Sequence, residues 1–262
     1  MASHGDEHRG VTDGTPTDLA TVRRAAFYVA TVGVLGLYAA MMGEMLAFVF
    51  TGWFEEPGVH HFHELALFGL IWLGVLGLAV QLYRPDERVN AVLVSALVML
   101  PLAVVAVSSN SPIAMMPVLF GAAGLLVVGL HPAGRSLLGV GHDVPGRRVL
   151  GGLLAVAAVP LVAYAGDQLV NQYTVADSHA AFVHYGGAAT VAGVVLVLGV
   201  LAVVRERDRR FAAWGAGVLA SYFGLAAALY PDQASSVGAL WGGIAIIWGV
   251  AFVVAFEWTR ER

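Results

Sequence analysis

HELALFGLIWLGVLGLAVQLYRPDER, residues 63–88, decides the fold. It opens on a histidine and a glutamate, runs apolar over about 64–83, and closes on a turn carrying Arg84 and Arg88. A helix of about 20 mostly apolar residues spans the ~30 Å hydrocarbon core of a bilayer. Runs of the same kind recur at about 25–50, 89–108, 112–131, 149–171, 180–204, 211–230 and 236–257, which makes eight.

Composition agrees with this pattern. The 262-residue chain is 58% hydrophobic and 12% charged, with a mean hydropathy of +0.76. Soluble domains carry roughly 25% charged residues, so most of this surface is not built to face water. There is no cysteine, which removes disulfides, thiolate metal sites and cysteine nucleophiles. All 14 basic residues are arginine. The absence of lysine excludes a retinal Schiff base and a Walker A phosphate loop. Arginine without lysine, with a mild acidic excess, is the composition of a GC-rich prokaryotic genome. Residues 1–22 are polar and read as a disordered cytoplasmic tail rather than a signal peptide.

The arginines set the topology, because positive charge stays on the cytoplasmic side of spanning helices. With the N-terminus inside, Arg9, Arg23, Arg24, Arg84, Arg88, Arg135, Arg147, Arg148, Arg205, Arg207, Arg209, Arg210, Arg260 and Arg262 all fall on one side of an eight-span chain. Both termini are then cytoplasmic in a multi-pass cell-membrane protein. The opposite side gathers Glu55, Glu56, Glu64, Asp177 and Asp232, together with His60, His61, His63, His179 and His184.

The landmarks repeat. The segment opening at His63 resembles HYGGAATVAGVVLVLGVLAVVRERDR, which opens at His184; the offset is 121 residues from His63 to His184 and again from Arg84 to Arg205. Arg23-Arg24 and Arg147-Arg148 each open a span. The expected architecture is an all-α polytopic bundle of two four-helix repeats (4+4, parallel orientation): residues 23–135, a cytoplasmic linker at 136–146, and residues 147–262. Repeats with an even number of spans keep their orientation, as in parallel transporter repeats. Gly33, Gly36, Gly74, Gly77, Gly121, Gly124, Gly242 and Gly243 supply the small surfaces through which helices associate in lipid.

Two acids lie inside spans, Glu44 in the first and Asp167 in the fifth, at an offset of 123. Ionisable groups within a membrane are costly and are functional candidates by default. Helical spacing puts His60, His63 and Glu64 on one face if span two begins a turn early, with His61 pointing elsewhere. Asp177 and His184 can share a face; His179, five residues from His184, is expected not to join it. The candidate metal ligands are therefore His60, His63, Glu64, His184, Glu44 and Asp167.

Three readings compete. Imidazole and carboxylate suit a transition metal such as copper, zinc, iron or manganese. His63 and His184 from symmetry-related helices could instead be axial ligands of haem b. The third reading is structural: each acid bonds a histidine or tyrosine across a helix contact. His131, at the cytoplasmic end of the fourth span, reads as an interfacial side chain.

The first two readings give an integral membrane protein with an outward-facing histidine–carboxylate site, serving metal handling or electron transfer. The alternatives are a transporter or channel for a small solute or ion that uses Glu44 and Asp167, or a non-catalytic subunit packing against other membrane subunits in the lipid bilayer. No phosphate loop, nucleophile elbow or HExxH motif appears, and nothing supports nucleic-acid binding.

Overall fold

The structure is a computed structural model that describes residues 16–134, 137, 139–141, 144 and 146–260. His4, His8, Arg9, Arg135, His142, Arg262 and the first fifteen residues of the expected tail lie outside the described residues. The described residues contain no strand. Their α-helices are α1 Pro16–Thr51, α2 His61–Ala79, α3 Val89–Ser108, α4 Met115–Leu130, α5 Arg147–Thr174, α6 Ser178–Ala181, α7 His184–Val204, α8 Arg209–Leu229 and α9 Gly238–Arg260.

Seven of these, all but α4 and α6, are long and apolar enough to cross a membrane. The run expected at 112–131 forms α4, whose 16 residues rise about 24 Å at 1.5 Å per residue. Two features of its ends keep it short. A turn occupies residues 112–114, and Pro132 pushes His131 to an extended ψ of 132° because the residue before proline avoids the helical region. Residues 16–22, expected as tail, are part of α1.

α3, α7 and α8 are the most enclosed helices and α5 the least. In the first half α1 packs on α2, α2 on α3, α3 on α4 and α4 back on α1. In the second half α5 packs on α7, α7 on α8, α8 on α9 and α9 back on α5. The halves meet through α2 and α3 against α7 and α8, with α2 touching α8 and α3 touching α7.

Gly77 and Gly124 let these contacts form. A Cβ on Gly124 would sit 3.1 Å from the Ser95 carbonyl, and one on Gly77 would run into the Ala91 carbonyl. Gly33, Gly36 and Gly243, expected at helix contacts, have nothing within 4 Å and face outward.

Hydrogen bonds join the arginine-bearing ends into one layer. Arg23 donates to the carbonyls of Gly129, Leu130 and His131, capping α4. Arg24 pairs with Asp86 at 2.6 Å, and Arg210 and Arg260 pair with Glu257 at 2.8 and 2.9 Å. His131 is fully buried in this layer rather than interfacial; its Nδ1 accepts from the Ala133 N–H, so its Nε2–H donates to Gln81 Oε1 at 3.2 Å.

Asp208 caps the start of α3, accepting the N–H groups of Asn90 and Ala91 at 2.9 Å each. Its carboxyl is fully enclosed and its Oδ1 has no hydrogen-bond partner. Burial pushes the Asp208 pKa up to about 6, against the opposing pull of those N–H groups and Arg88.

A carboxyl whose folded pKa lies above its unfolded value contributes stability below the unfolded value and loses it as pH rises through the folded one. Wild type should therefore lose roughly 2 kcal/mol between pH 4 and 7 relative to Asp208→Asn, which keeps an acceptor without titrating. Thermal unfolding of both proteins across that range checks this. A constant gap between them would refute it.

Candidate functional site

At the end opposite the arginine layer, the starts of α2 and α7 face each other. α2 opens from a turn at Gly58, with His60 as its N-cap residue. Gln233, from the α8–α9 connection, holds this turn: its Oε1 accepts the Phe62 N–H at 2.8 Å and its Nε2 donates to the Gly58 carbonyl at 3.0 Å. Gln172 of α5 repeats the device on α7, accepting the Gly186 N–H at 3.0 Å and donating to the Ala180 carbonyl at 2.8 Å. Both glutamines satisfy helix-start N–H groups that have no partner within their own helix.

Four histidines converge between these clips. The His60 ring centroid lies 4.6 Å from that of His179 and 4.6 Å from that of His184. His63 lies 5.0 Å from His179 and 4.9 Å from His184, the latter stacked with 18° between planes. His179 and His184 are 5.9 Å apart. His179 thus joins the group, against the spacing argument. The reason is a break in the helix: α6 ends before Phe182, and Val183 takes a left-handed conformation with φ 61°, an outlier for a β-branched residue. Residues 179 and 184 lie on different segments, so helical periodicity does not relate them. His61 packs instead on Phe48 and Tyr230.

Hydrogen bonds fix the form of two of these rings. Asp167 Oδ2, on a carboxylate acceptor, takes Gln168 Nε2–H at 3.0 Å, so Gln168 Oε1 is free to accept from Ser235 Oγ–H at 2.5 Å. Having used its hydrogen there, Ser235 accepts from His63 Nε2–H at 2.8 Å. Neutral His63 therefore carries its lone pair on Nδ1, which is buried with no partner. His179 has Asp177 Oδ2 on Nδ1 at 3.1 Å and the Val59 carbonyl on Nε2 at 3.1 Å. Both partners only accept, so both contacts are made together only by the doubly protonated ring.

Asp177 also accepts from the Ala180 N–H and the Tyr185 hydroxyl. These donors, with His179, hold its carboxyl below the usual range despite the opposing effect of burial. Ser235 itself is left-handed, with φ 64°.

Nδ1 of His60 and Nδ1 of His184 are likewise buried without a partner. Such groups are rare in native structures, and each one asks for an explanation. Among the described residues, no three histidine or acidic side chains are set, as they stand, to hold a metal ion; the rings would have to turn.

Of the remaining sequence candidates, Glu64 is half-buried and lines a cavity beside His60 and His184. Glu44 is exposed on α1. Asp167 is exposed on α5 and meets the cluster only through Gln168 and Ser235. Comparison with protein families, characterised proteins and solved structures finds no match for this chain.

Proposed function

We propose that the chain is an eight-span membrane protein of two four-helix repeats with cytoplasmic termini, whose outward end binds a transition metal through His60, His63, His179 and His184. The observation that carries the reading is the set of three buried, unpartnered Nδ1 atoms in one histidine cluster.

Spacing supports it. A metal–nitrogen distance of about 2.0–2.1 Å, with about 1.1 Å from nitrogen to ring centre, puts four tetrahedral imidazole centroids about 5 Å apart. Five of the six separations among these rings, all but that between His60 and His63, run from 4.6 to 5.9 Å. Coordination would require the rings to turn, and His179 would have to give up its Nε2 proton and its bond to the Val59 carbonyl to become a ligand. Polar groups already sit behind the ligands, Ser235–Gln168–Asp167 behind His63 and Asp177 behind His179, as they do behind histidine ligands in metal sites.

The stacked contact of His63 with His184 at 4.9 Å leaves no space for a macrocycle between them, which disfavours haem. Glu44 and Asp167 are exposed on different helices, which disfavours a shared coupling site. The duplication is supported by the reciprocal packing of α2 and α3 on α7 and α8 and by the pairing of His63 with His184 at the repeat offset. The metal would be stored, moved or used for electron transfer on the outer side.

Cobalt(II) is the first test, because four-coordinate cobalt has strong visible ligand-field bands. Purified wild type should bind one Co²⁺ with such bands, and His63→Ala with His184→Ala should abolish them while the protein stays folded. Wild type without stoichiometric binding, or a double variant that binds equally, would overturn the reading. Ser235→Ala, which removes the acceptor for His63 Nε2–H, should weaken Co²⁺ binding roughly 10- to 100-fold; an unchanged isotherm would show that the relay does not orient His63.

A further inference from the structure

Four of the seven methionines, Met42, Met45, Met99 and Met116, line one cavity of about 380 Å³ on the first-half side of the cluster. His60, Glu64 and His184 form another part of its wall. The rings of His60 and His184 are 4.6 Å apart and belong to the cluster, so the cavity ends on the histidines. Its other lining residues are apolar, and Glu64 is its one acid.

Leucine would fill this volume as well as methionine; what methionine adds is sulfur. Thioethers are soft ligands that select Cu(I), whereas carboxylates and water suit hard divalent ions. A chain without cysteine has no other soft side chain to offer. A monovalent ion also gives up less hydration than a divalent one on entering an apolar cavity. Imidazole completes such a site, since it binds copper as well as zinc.

We infer that this cavity is a binding site for Cu(I), held by thioether sulfur of the cavity methionines together with His60 or His184. The inference rests on the histidine-site reading and names its metal: copper is taken in and handed to the histidines as Cu(I), with no change of oxidation state.

The test is an anaerobic Cu(I) titration of the full-length, detergent-purified protein against a chromophoric Cu(I) chelator, with Co²⁺ titrated in parallel. Wild type is compared with the variant Met42→Leu, Met45→Leu, Met99→Leu, Met116→Leu, which is close to volume-conserving. Wild type should take Cu(I) from the chelator. The variant should bind it more weakly by roughly tenfold or more, with Co²⁺ binding unchanged.

Equal Cu(I) affinity in both proteins would overturn the inference, as would wild type that binds Co²⁺ but not Cu(I); the histidine site would survive either result. Wild type that binds neither metal would remove the histidine site and this inference with it. X-ray absorption of Cu(I)-loaded wild type needs no variant and covers the case in which the methionine variant misfolds. Sulfur in the copper shell is expected, and a shell of nitrogen alone would sink the inference.

Discussion

Gly224→Val is expected to lower the melting temperature of the detergent-solubilised protein by about 10 °C, corresponding to roughly 3 kcal/mol. α8 and α9 cross with their backbones in contact. A Cβ on Gly224 would lie 2.5 Å from the Gly242 carbonyl oxygen, and one on Gly242 would lie 2.6 Å from that of Gly224. Seven residues along each helix the meeting recurs between Gly217 and Gly249.

What a new side chain meets here is backbone, which cannot rotate aside as a side-chain tip would. The helices must separate, and helices in lipid associate through this kind of close packing rather than through a hydrophobic drive. Gly243→Val and Gly36→Val are the controls, since both positions are open, and each should shift the melting temperature little. A Gly224→Val protein that melts with wild type would mean that α8 and α9 do not cross this closely.

That contrast shows what the sequence could and could not reveal. Glycines at small-residue spacing were legible as packing surfaces, yet Gly242 and Gly243 are adjacent and only the first touches a neighbour. Which face turns inward depends on how the helices rotate, and an all-round apolar helix carries no amphipathic signal to fix that rotation. The span ends were more readable, because arginines and prolines mark them. Seven runs became long helices, and α3 occupies 89–108 as expected.

The candidate site divides along the same physical line. His60 and His63 share a face through local helical spacing, and His63 was paired with His184 by the repeat offset; the three do converge. Helical spacing sets His179 apart from His184 only if one helix runs through both, and the chain breaks at Val183. Gln168, Gln172, Gln233 and Ser235 gave no signal. A neutral amide or hydroxyl has no charge to mark it, and the partners of Gln233 at Phe62 and of Ser235 at His63 are 171 and 172 residues away. Glu44 and Asp167 stand out in the sequence because ionisable groups within a membrane are costly; both are exposed in this chain.

Arg205 carries the second large effect. In the sequence it stands 121 residues after Arg84, each following an apolar run, but the two have different surroundings. The Arg84 side chain is exposed, 3.7 Å from Glu87. Arg205 is 4% exposed and donates to Asn90 Oδ1 at 3.0 Å, to the Gly139 carbonyl at 2.5 Å and to the Leu137 carbonyl. Asn90 in turn donates to the carbonyls of Arg207 and Asp208. One guanidinium thus ties the end of α7, the start of α3 and the α4–α5 connection together.

Arg205→Gln should cost about 4 kcal/mol, because it leaves buried acceptors without donors and hydrogen bonds to a charged group contribute more than neutral ones. Arg205→Lys should recover only part of this, since an ammonium cannot reach three acceptors in a planar fork. Arg207→Gln removes the same charge from the same end at an exposed position and should change stability by no more than about 0.5 kcal/mol. Thermal unfolding of the three variants separates the two roles of arginine here. Equal losses at 205 and 207 would mean that charge at this end matters and the buried fork does not. A loss confined to 205 would make this arginine a structural tie between α7, α3 and the α4–α5 connection.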